Sequence, residues 1–466
     1  MKKLFLKLSL LFVIVLVLLQ LGNKFFKSHK GSVKTWQQFY ENEEPKYDII
    51  ISGNSIAYSA YNPQIINSKS SLNTFNLSSS SIGIEQVLYN FKEIIKYNKP
   101  QLFIVEAHAL DITTTNIGKR LKFNYQNIDG QKLSLNKLSS IYHVFDSKST
   151  MVEAMFPVVR NHNKWSDFEF LEKNANYTYR FDKKLGYRNL STKGYKKRIA
   201  KTIGKMPKSY EIPEENIHFL KEIVDLCTEN DIEFLLVRAP QIKYQSDKKL
   251  VNQIYETTTK LCEELSIAYL DQNYGYDKVG FKESEFYDAL HLNTTGATKA
   301  TELLSEAIDK NFALTKNENI VHKVPNQNTD EDHYKNFKGL LEKPFTPIEG
   351  IIIDQVYVKY FEDGTYSFYV CFDKKSNTET ISKYKLAMQF FPEKEDIASL
   401  KNAAERKKGR ISFGALSEPY LTNQEHHIRV IDQKKLDLSK FKSFVMYLYN
   451  SEEVSKKVTS RNVNLQ

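Results

Sequence analysis

The N-terminal segment of the chain is almost wholly apolar. Leu8–Leu19 is an unbroken run without charge, glycine or proline, and the apolar segment extends from Leu4 to Phe26 with Lys7 near one edge. A helix of this length spans the ~30 Å hydrocarbon core of a bilayer, and a lysine near its end can extend its amine to the headgroups. Neither a small-x-small cleavage site nor a cysteine for lipidation comes after it. The pattern predicts a retained transmembrane signal anchor over residues 1–27.

The charges that flank this segment do not decide its orientation. Lys2 and Lys3 precede it, whereas Lys24, Lys27 and Lys30 lie on its far side, which weakens the positive-inside argument. An N-terminal anchor of this kind usually exports the rest of its chain. We therefore expect a single-pass protein of the cell membrane, with its N-terminus inside and its body extracytoplasmic.

After a short polar stem at about 28–45, apolar runs alternate with helical periodicity. The predicted strands are Tyr47–Ile51, Gln101–Glu106, Ile232–Val237 and Ile267–Leu270, and the predicted helices are Glu85–Tyr97, Glu214–Glu229, about 249–265 and about 294–312. This alternation predicts an α/β domain over 46–312, with a doubly wound, flavodoxin-like parallel sheet covered on both faces. An insertion at about 112–212, rich in aromatic and basic side chains, is typical of a cap or a substrate-binding elaboration.

The pattern changes to period two beyond a polar linker at 313–344. Alternating runs occur at Ile351–Tyr360, Tyr366–Phe372, Lys385–Phe391, His427–Ile431 and Phe444–Leu448. The Asp363-Gly364 pair between the first two runs indicates a hairpin. We predict that 345–466 is a small β-sandwich accessory domain.

The chain is basic, with 66 Lys+Arg against 56 Asp+Glu and a formal charge of +10. The excess is spread along the chain without a block of like charges, so no nucleic-acid partner is predicted. It suits an anionic partner such as the cell envelope, and a solvated lysine-rich surface explains it equally well. The three cysteines are too scattered for a disulfide framework, and no histidine pair has metal-ligand spacing. No metal and no cofactor are predicted.

A tight turn with a candidate nucleophile comes directly after the first predicted strand. Gly53-Asn54-Ser55 lies at the sheet edge where open α/β folds bind ligands. The glycine allows a turn that a side chain would obstruct, and the N–H groups at the start of the next helix can donate to an oxyanion. A serine in such a position also caps helices in many proteins, so the turn alone has two interpretations.

A second polar segment precedes the last predicted helix. Asp288 and His291 are three residues apart, so the carboxylate can hold imidazole Nδ1 while Nε2 takes a proton from a serine hydroxyl. Alternatively, Asp288 is a solvated loop acid and His291 flanks a helix that Asn293 or Thr294 caps. Because both segments fall at the same edge of one sheet, we predict a catalytic triad of Ser55, His291 and Asp288.

These two segments resemble the SGNH (GDSL-like) hydrolase superfamily, whose nucleophile lies in a G-D-S turn after the first strand and whose D-x-x-H motif precedes the final helix. The stretches ISGNSIAYSAYNP, TFNLSSSSIGIEQ, NKPQLFIVE and DALHLNTTGA are similar to one branch of that family. Its members are membrane-anchored and partner membrane-bound O-acyltransferases, among them proteins like the D-alanine transfer protein of teichoic acid modification. The resemblance covers about 47–312 and implies an SGNH-like fold, the triad and a membrane-bound O-acyltransferase partner.

The sequence departs from the family at the oxyanion hole. The G-x-N-D block, whose Asn donates to the oxyanion, is missing, and Glu106-Ala107-His108 occupies its place. Gly83 is an approximate counterpart of the glycine in the second family block. We expect the N–H groups of Ser55 and Gly83 to be the oxyanion donors. Removing one such donor typically costs ~10²–10³ in rate, so a slow enzyme and a catalytically idle relative both fit.

Five further residues are candidates for substrate binding, namely Asn54, His108, Arg160, His162 and Arg238. His108 follows a strand end, and Arg238 closes a strand at the carboxyl edge. Arg160 and His162 lie in the insertion beside an aromatic ring. A purely structural role explains His108 and the insertion loop equally well.

The sequence therefore favours O-acyl transfer or ester hydrolysis on a cell-envelope polysaccharide or teichoic-acid-like polymer, with acetyl as the acyl group. The alternative is a non-catalytic accessory or binding protein of a membrane-bound O-acyltransferase, in which the altered oxyanion blocks reflect lost chemistry. A lipase-like esterase is disfavoured because the insertion is polar and basic instead of broadly apolar.

Overall fold

The computed structural model divides the chain into two compact units, Met1–Lys316 and Asn317–Gln466. In the first unit it describes residues 2–27, 29, 31–41, 46–70, 72–112, 117–175, 177, 184–202, 209–242, 247–274 and 280–315. In the second it describes 337–341, 343–360, 365–377, 380–381, 383–392, 411–415, 421–422, 426–435, 441–450, 454–455 and 458–460. The predicted Asp-Gly hairpin turn and most of the predicted linker at 313–344 lie outside these residues.

A five-stranded parallel sheet forms the centre of the described first unit. Its strands are β1 (Ile49–Ser52), β2 (Thr74–Asn76), β3 (Leu102–Glu106), β4 (Glu233–Arg238) and β5 (Ala268–Asp271). They are ordered β2-β1-β3-β4-β5, and every neighbouring pair is parallel. This is the strand order of flavodoxin-like doubly wound folds, so the predicted parallel sheet is confirmed.

Helices surround this sheet and build the N-terminal and inserted parts of the unit. In chain order they are α1 (Lys2–Phe26), α2 (Ser32–Glu41), α3 (Ser55–Ala60), α4 (Pro63–Ser70), α5 (Ile84–Tyr97), α6 (Ile117–Gly130), α7 (Leu135–Val144), α8 (Lys148–Met155), α9 (Pro157–Arg160), α10 (Phe168–Ala175), α11 (Tyr195–Thr202), α12 (Glu214–Glu229), α13 (Lys248–Glu264) and α14 (Thr294–Asn311). The predicted helices at 85–97, 214–229, 249–265 and 294–312 are confirmed as α5, α12, α13 and α14.

The sheet is apolar on both faces because successive side chains of a strand point to opposite sides. Ile50 of β1 belongs to a hydrophobic cluster that includes residues of α5 and α12. Its neighbours Ile49 and Ile51 belong to a second cluster, which includes residues of α3, α4 and α14. Two packed layers of helices therefore hold the strands and bring the strand ends together at one edge.

The structure differs from the prediction of a polar stem at about 28–45. Residues 32–41 form α2, which buries Val33, Trp36 and Phe39. Trp36 and Phe39 join the same cluster as Ile50, and Trp36 Nε1 donates to Asn127 Oδ1 at 3.2 Å. The apolar residues recur at helical intervals within a polar segment, so α2 is an amphipathic helix that packs on the body.

Ahead of it, α1 is long and apolar enough to cross a membrane, and its most apolar window is not buried against the protein. The described part of the inserted region contains α6 to α11, joined by turns and loops. One cluster of its apolar residues, including Tyr125, Ile128 and Phe145, packs on Tyr89 of α5. The insertion is thus joined to the sheet through α5.

The described residues of the second unit form two antiparallel sheets. Its strands are β6 (Phe337–Gly339), β7 (Phe345–Ile348), β8 (Ile351–Tyr360), β9 (Thr365–Asp373), β10 (Lys385–Pro392), β11 (Ile411–Ala415), β12 (Leu421–Thr422), β13 (His426–Lys435), β14 (Phe441–Tyr449) and β15 (Val458–Ser460). The sheets are ordered β12-β13-β9-β8-β6, with β7 paired to β8, and β11-β10-β14-β15. One hydrophobic cluster contains residues of β8 and β9 from one sheet and of β10 and β14 from the other. The β-strand content is confirmed, and the sandwich stays a prediction.

Candidate active site

Ser55 is the first residue of α3, directly beyond the carboxyl end of β1. Gly53, between the strand and the helix, has a φ of +150°, which L side chains rarely adopt. A Cβ at this position would lie 2.9 Å from the Cβ of Glu106 and 3.1 Å from that of Ala57. Only glycine fits this turn, which presents the Ser55 hydroxyl at the edge of the sheet.

The Ser55 hydroxyl lies within hydrogen-bond distance of His291. Ser55 Oγ is 2.9 Å from His291 Nε2, although the two residues are 236 positions apart in the chain. On the other side of the ring, Nδ1 lies 2.9 Å from Asp288 Oδ1 and 3.0 Å from Asp288 Oδ2. The structure thus brings together the three residues that the sequence predicts as a triad. A serine, an imidazole and a carboxylate in this order can generate a nucleophilic alkoxide.

The Asp288 carboxylate is stabilised in its ionised form. Its Oδ1 accepts hydrogen bonds from the backbone N–H groups of Leu290 and His291, each at 2.9 Å. Partial burial raises the pKa of Asp288, but the hydrogen bond and charge of His291 and the two backbone bonds outweigh it, so the pKa lies below its ordinary value. The ionised carboxylate therefore accepts a hydrogen bond from Nδ1–H and fixes the His291 tautomer that leaves Nε2 free of hydrogen.

Asn54 connects the nucleophile turn to the end of β3. Its side-chain oxygen accepts from the N–H of Ile56 at 2.9 Å and caps α3. Its amide nitrogen lies 3.2 Å from His108 Nδ1. An amide nitrogen can only donate, so Nδ1 of His108 accepts this bond. Two of the five predicted binding residues are therefore near the nucleophile: Asn54 adjoins Ser55 in the chain, and His108 is bonded directly to Asn54.

Glu106, which stands where the family has its G-x-N-D block, is fully buried beneath this turn. Its Oε1 accepts from the N–H of Ala239 at 3.3 Å, and its Oε2 accepts from the N–H of His108 at 3.1 Å. Burial raises the pKa of Glu106 to about 8, partly opposed by the charge of Arg238 and by the two backbone bonds. The side chain thus supports the backbone at the ends of β3 and β4, and it is largely protonated at neutral pH.

The structure corrects the prediction that Arg238 binds substrate. Its side chain is fully buried, at 0% exposure, and its guanidinium donates to Asp111 Oδ2 at 2.9 Å and to the Tyr210 hydroxyl at 2.8 Å. The Tyr210 hydroxyl in turn donates to Asp111 Oδ1 at 2.7 Å. A buried arginine needs such partners, so Arg238, the last residue of β4, holds the segment after β3 and the segment before α12 and is not open to a substrate.

The turn that carries His291 is held by α11 of the insertion. Arg198 Nε donates to the carbonyl of Tyr287 at 2.7 Å, and the guanidinium lies 3.9 Å from the centre of the Tyr287 ring. The N–H of Ala289 donates to Thr202 Oγ1 at 3.0 Å. Both contacts fall within two residues of Asp288. The C-terminal end of the insertion therefore stabilises the turn that carries Asp288 and His291, which we call the histidine turn.

The residues just before α11 contact the nucleophile helix and the start of α14. The N–H of Arg188 donates to the carbonyl of Tyr58 at 2.8 Å, and its guanidinium lies 4.2 Å from the centre of the Tyr58 ring. The N–H and the hydroxyl of Thr294 donate to the carbonyl of Leu190 at 3.1 and 3.0 Å. One short segment thus links the helix that begins with Ser55 to the helix that follows His291. Only long-range contacts reveal this role, and no motif in the sequence signals it.

The remaining predicted residues, Arg160, His162 and Gly83, have no side-chain hydrogen bond to the triad in the described part of the chain. Arg160 pairs with Asp129 at 2.5 Å and lies 4.5 Å from the Tyr125 ring centre, so its charge is engaged inside the insertion. His162 is exposed and its Nδ1 lies 3.1 Å from the carbonyl of Val159. Gly83 is the N-cap residue of α5, and its place in the oxyanion hole stays a prediction.

Comparisons with known proteins add little to this geometry. A protein-family model matches residues 160–313, which is less than half of the chain, and no curated protein matches. A GDSL-like lipase from Bacteroides thetaiotaomicron VPI-5482 is 10% identical, over 60% of this chain and 100% of that chain, with a TM-score of 0.29. A two-domain esterase active on acetylated mannans is 10% identical, over 90% of this chain and 92% of that chain, with a TM-score of 0.29. Similarity this low carries no argument about function, which rests on the site itself.

Proposed function

We propose that this protein is a serine-dependent enzyme that hydrolyses or transfers O-acyl groups, with Ser55 as nucleophile. The observation that carries the proposal is the chain of contacts from Ser55 Oγ to His291 Nε2, at 2.9 Å, and from His291 Nδ1 to Asp288, at 2.9 Å. Helix capping explains neither distance, because Asn54, and not Ser55, caps α3.

In the proposed reaction, Ser55 Oγ attacks the acyl carbonyl carbon while His291 Nε2 takes the hydroxyl proton. The carbonyl oxygen becomes an oxyanion, for which the N–H groups of Ser55 and Gly83 are the proposed donors. His291 then gives the proton to the departing alcohol, which leaves an acyl group on Ser55. Water or a sugar hydroxyl attacks this ester with His291 again as base, and the free serine is restored. The Asp288 carboxylate stabilises the imidazolium in both halves.

The substrate we propose is an acetylated polysaccharide or teichoic-acid-like polymer of the cell envelope, and the partner is a membrane-bound O-acyltransferase. Three features support this assignment. The sequence resembles proteins of that kind, α1 is a candidate anchor for an extracytoplasmic body, and the formal charge of +10 suits an anionic surface. The proposed chemistry needs no metal or cofactor.

Labelling of the purified full-length protein with a fluorophosphonate probe tests the nucleophile. We expect covalent labelling at Ser55, no labelling of Ser55→Ala, and labelling of His291→Ala slowed by up to about 10⁶-fold, because the triad members act as a unit. Ser80→Ala is the matched control, since Ser80 is a buried serine whose hydroxyl bonds to Tyr58 on α3, and it should label normally. An unlabelled wild-type protein would favour the non-catalytic accessory.

A second assay separates hydrolase from transferase. With acetylated glycans as substrate, a hydrolase releases acetate, whereas a transferase passes the acetyl group to a second sugar hydroxyl.

A further inference from the structure

The last turn of α1 is bound tightly by the helical insertion. Asn174 Nδ2 donates to the carbonyl of Phe25 at 2.7 Å, and Asn161 Nδ2 donates to the carbonyl of Phe26 at 2.9 Å. Asn23 Nδ2 donates to the carbonyl of Met155 at 3.2 Å. The final carbonyls of a helix lack partners within it, and here side chains of the insertion satisfy them. The C-terminal end of α1 is therefore fixed to α8, α9 and α10.

This attachment locates the insertion relative to a bilayer. The candidate span Lys3–Phe26 has 24 residues, which is about 36 Å of helix, and the hydrocarbon core is only ~30 Å thick. Both ends of a spanning α1 therefore lie near the surfaces of that core, and its last turn lies close to the headgroups of one leaflet. Because α8 to α10 contact that turn, a spanning α1 brings them to the same leaflet.

Two large aromatic residues are exposed between α9 and the start of α10. Trp165 is 58% exposed and Phe168 is 81% exposed. Trp165 Nε1 donates to the carbonyl of Val158 at 2.8 Å, so its N–H is satisfied and the exposed part is the apolar ring. Val158 also packs on α1, since a Cβ on Gly22 would lie 3.5 Å from it. Trp165 is therefore connected to α1 through a single intervening residue, Val158.

The neighbours of these rings suit a headgroup layer. Phe170 of α10 has its ring centre 6.3 Å from that of Phe26, and Lys164 Nζ lies 5.9 Å from the Phe170 ring. Lys24 lies in the last turn of α1. Tryptophan is enriched at membrane interfaces because its apolar ring can enter the acyl boundary. The Lys164 amine is paired with Asp167 at 2.9 Å, so the lysine that can extend its amine to the phosphates is Lys24.

We propose that α8 to α10 form a second membrane-contact surface, in which Trp165 and Phe168 insert into the leaflet from which α1 emerges. The occupant of this surface is the lipid bilayer, because the α1 attachment already places it there. The surface is rigidly coupled to the body, since Arg160 of α9 bonds to Asp129 of α6 and α6 packs on α2. The proposed contact would hold the Ser55 site at a set height and tilt above the membrane.

Tryptophan fluorescence tests this proposal because the chain has two tryptophans, and Trp36 is 1% exposed in the core. Full-length protein is reconstituted into phosphatidylcholine vesicles, either unmodified or with acyl chains brominated near the headgroup. Insertion to ~5–10 Å should lower the Trp165 signal at least about twofold in the brominated vesicles. This signal is wild-type emission minus that of Trp165→Phe, which retains Trp36 as an internal reference.

Two variants provide matched controls. Phe168→Ser should weaken the quenching of Trp165, whereas Leu135→Ser on α7, at a residue that is 85% exposed, should leave it unchanged. A Trp165 signal equal in both lipids would overturn the proposal and is the result expected if the rings dock on a protein instead. Equal effects of the two variants would also overturn it. The test reads neither Ser55 nor catalysis, so its outcome is independent of the proposed activity.

Discussion

Gly53 shows how one residue sets the geometry of the nucleophile turn. Its φ of +150° already favours glycine, and the space is filled as well, because a Cβ would lie 2.9 Å from the Glu106 Cβ. The sequence predicts the first requirement from the position of Gly53 between a strand and a helix. It does not predict the second, because Glu106 ends a different strand. The pairing of β1 with β3 brings the two residues together.

Glu106 makes a pH-dependent contribution to stability. Its pKa rises to about 8 in the fold because it is buried, against about 4.3 in an unfolded chain. A raised acid pKa gives stability that is fully present below about pH 4 and is lost as the pH rises towards 8. Glu106→Gln removes this titration. When the pH is raised from about 5 to about 8, the melting temperature of the wild type should therefore fall by a few degrees more than that of the variant.

The measurement is a pair of thermal melts in detergent for each variant at the two pH values. The amide introduced by Glu106→Gln has only one acceptor oxygen, whereas the Glu106 carboxyl accepts from both Ala239 and His108, so a constant loss at both pH values is expected. The titration is reported only by the change, from one pH to the other, in the difference between the melting temperatures of the wild type and the variant. The exposed Glu264→Gln serves as control. A difference that does not change with pH would contradict the raised pKa.

At the scale of elements, long periodic segments are predictable and short or polar ones are not. The apolar spacing within Glu214–Glu229 predicts α12 with the bounds that the structure shows. By contrast, β2 has three residues, too few for an alternating pattern, and its place in the sheet comes from pairing with β1. The polar composition of residues 28–45 hides α2, whose three buried apolar residues stabilise the helix only because the body offers them a surface.

The histidine turn depends on a helix that the sequence does not single out. Arg198 of α11 bonds to the carbonyl of Tyr287 at 2.7 Å and stacks on its ring. We expect Arg198→Ala to lower kcat by up to about 10²-fold with little change in KM, because a small displacement of His291 disturbs the transition state more than substrate binding. Arg198→Lys should restore only part of the rate, since lysine lacks the planar fork.

Steady-state ester hydrolysis and the rate of fluorophosphonate labelling are the readouts for Arg198. Lys197→Ala, an exposed neighbour on α11, should behave like the wild type in both. If Arg198→Ala loses activity only in proportion to the fraction unfolded, the residue stabilises the fold and does not position the turn.

At the scale of the whole molecule, the chain consists of a mixed α/β unit and a β-rich unit. The second unit carries its own core, in which Phe390 of β10 lies 5.1 Å from Phe368 of β9 and 5.7 Å from Phe444 of β14, measured between ring centres. A unit with a separate core is expected to fold alone. Expressed by itself, 337–466 should give a β-type circular dichroism spectrum and unfold cooperatively.

Phe390→Ala tests the origin of that stability. The side chain is fully buried, so its truncation should cost ~3–5 kcal/mol, measured by urea unfolding. Ser376→Ala, which loses a hydroxyl bonded to the Ile352 backbone, should cost much less, ~1 kcal/mol. A helical spectrum or a non-cooperative transition of the isolated unit would contradict its independence.

The sequence alone determined the residue types of the candidate site and the elements that carry them. Gly53-Asn54-Ser55 and Asp288 to His291 are local patterns, and the strand and helix periods that place them at one sheet edge are local as well. The tertiary structure decided which groups meet, because burial and pairing depend on elements far apart in the chain. It brought Ser55 and His291 to 2.9 Å across 236 residues and joined Asn54 to His108. It engaged Arg238 in a buried ion pair and Arg160 in a partly buried one. It also fixed the insertion to the end of α1, because only packing supplies the side chains that satisfy the last carbonyls of that helix.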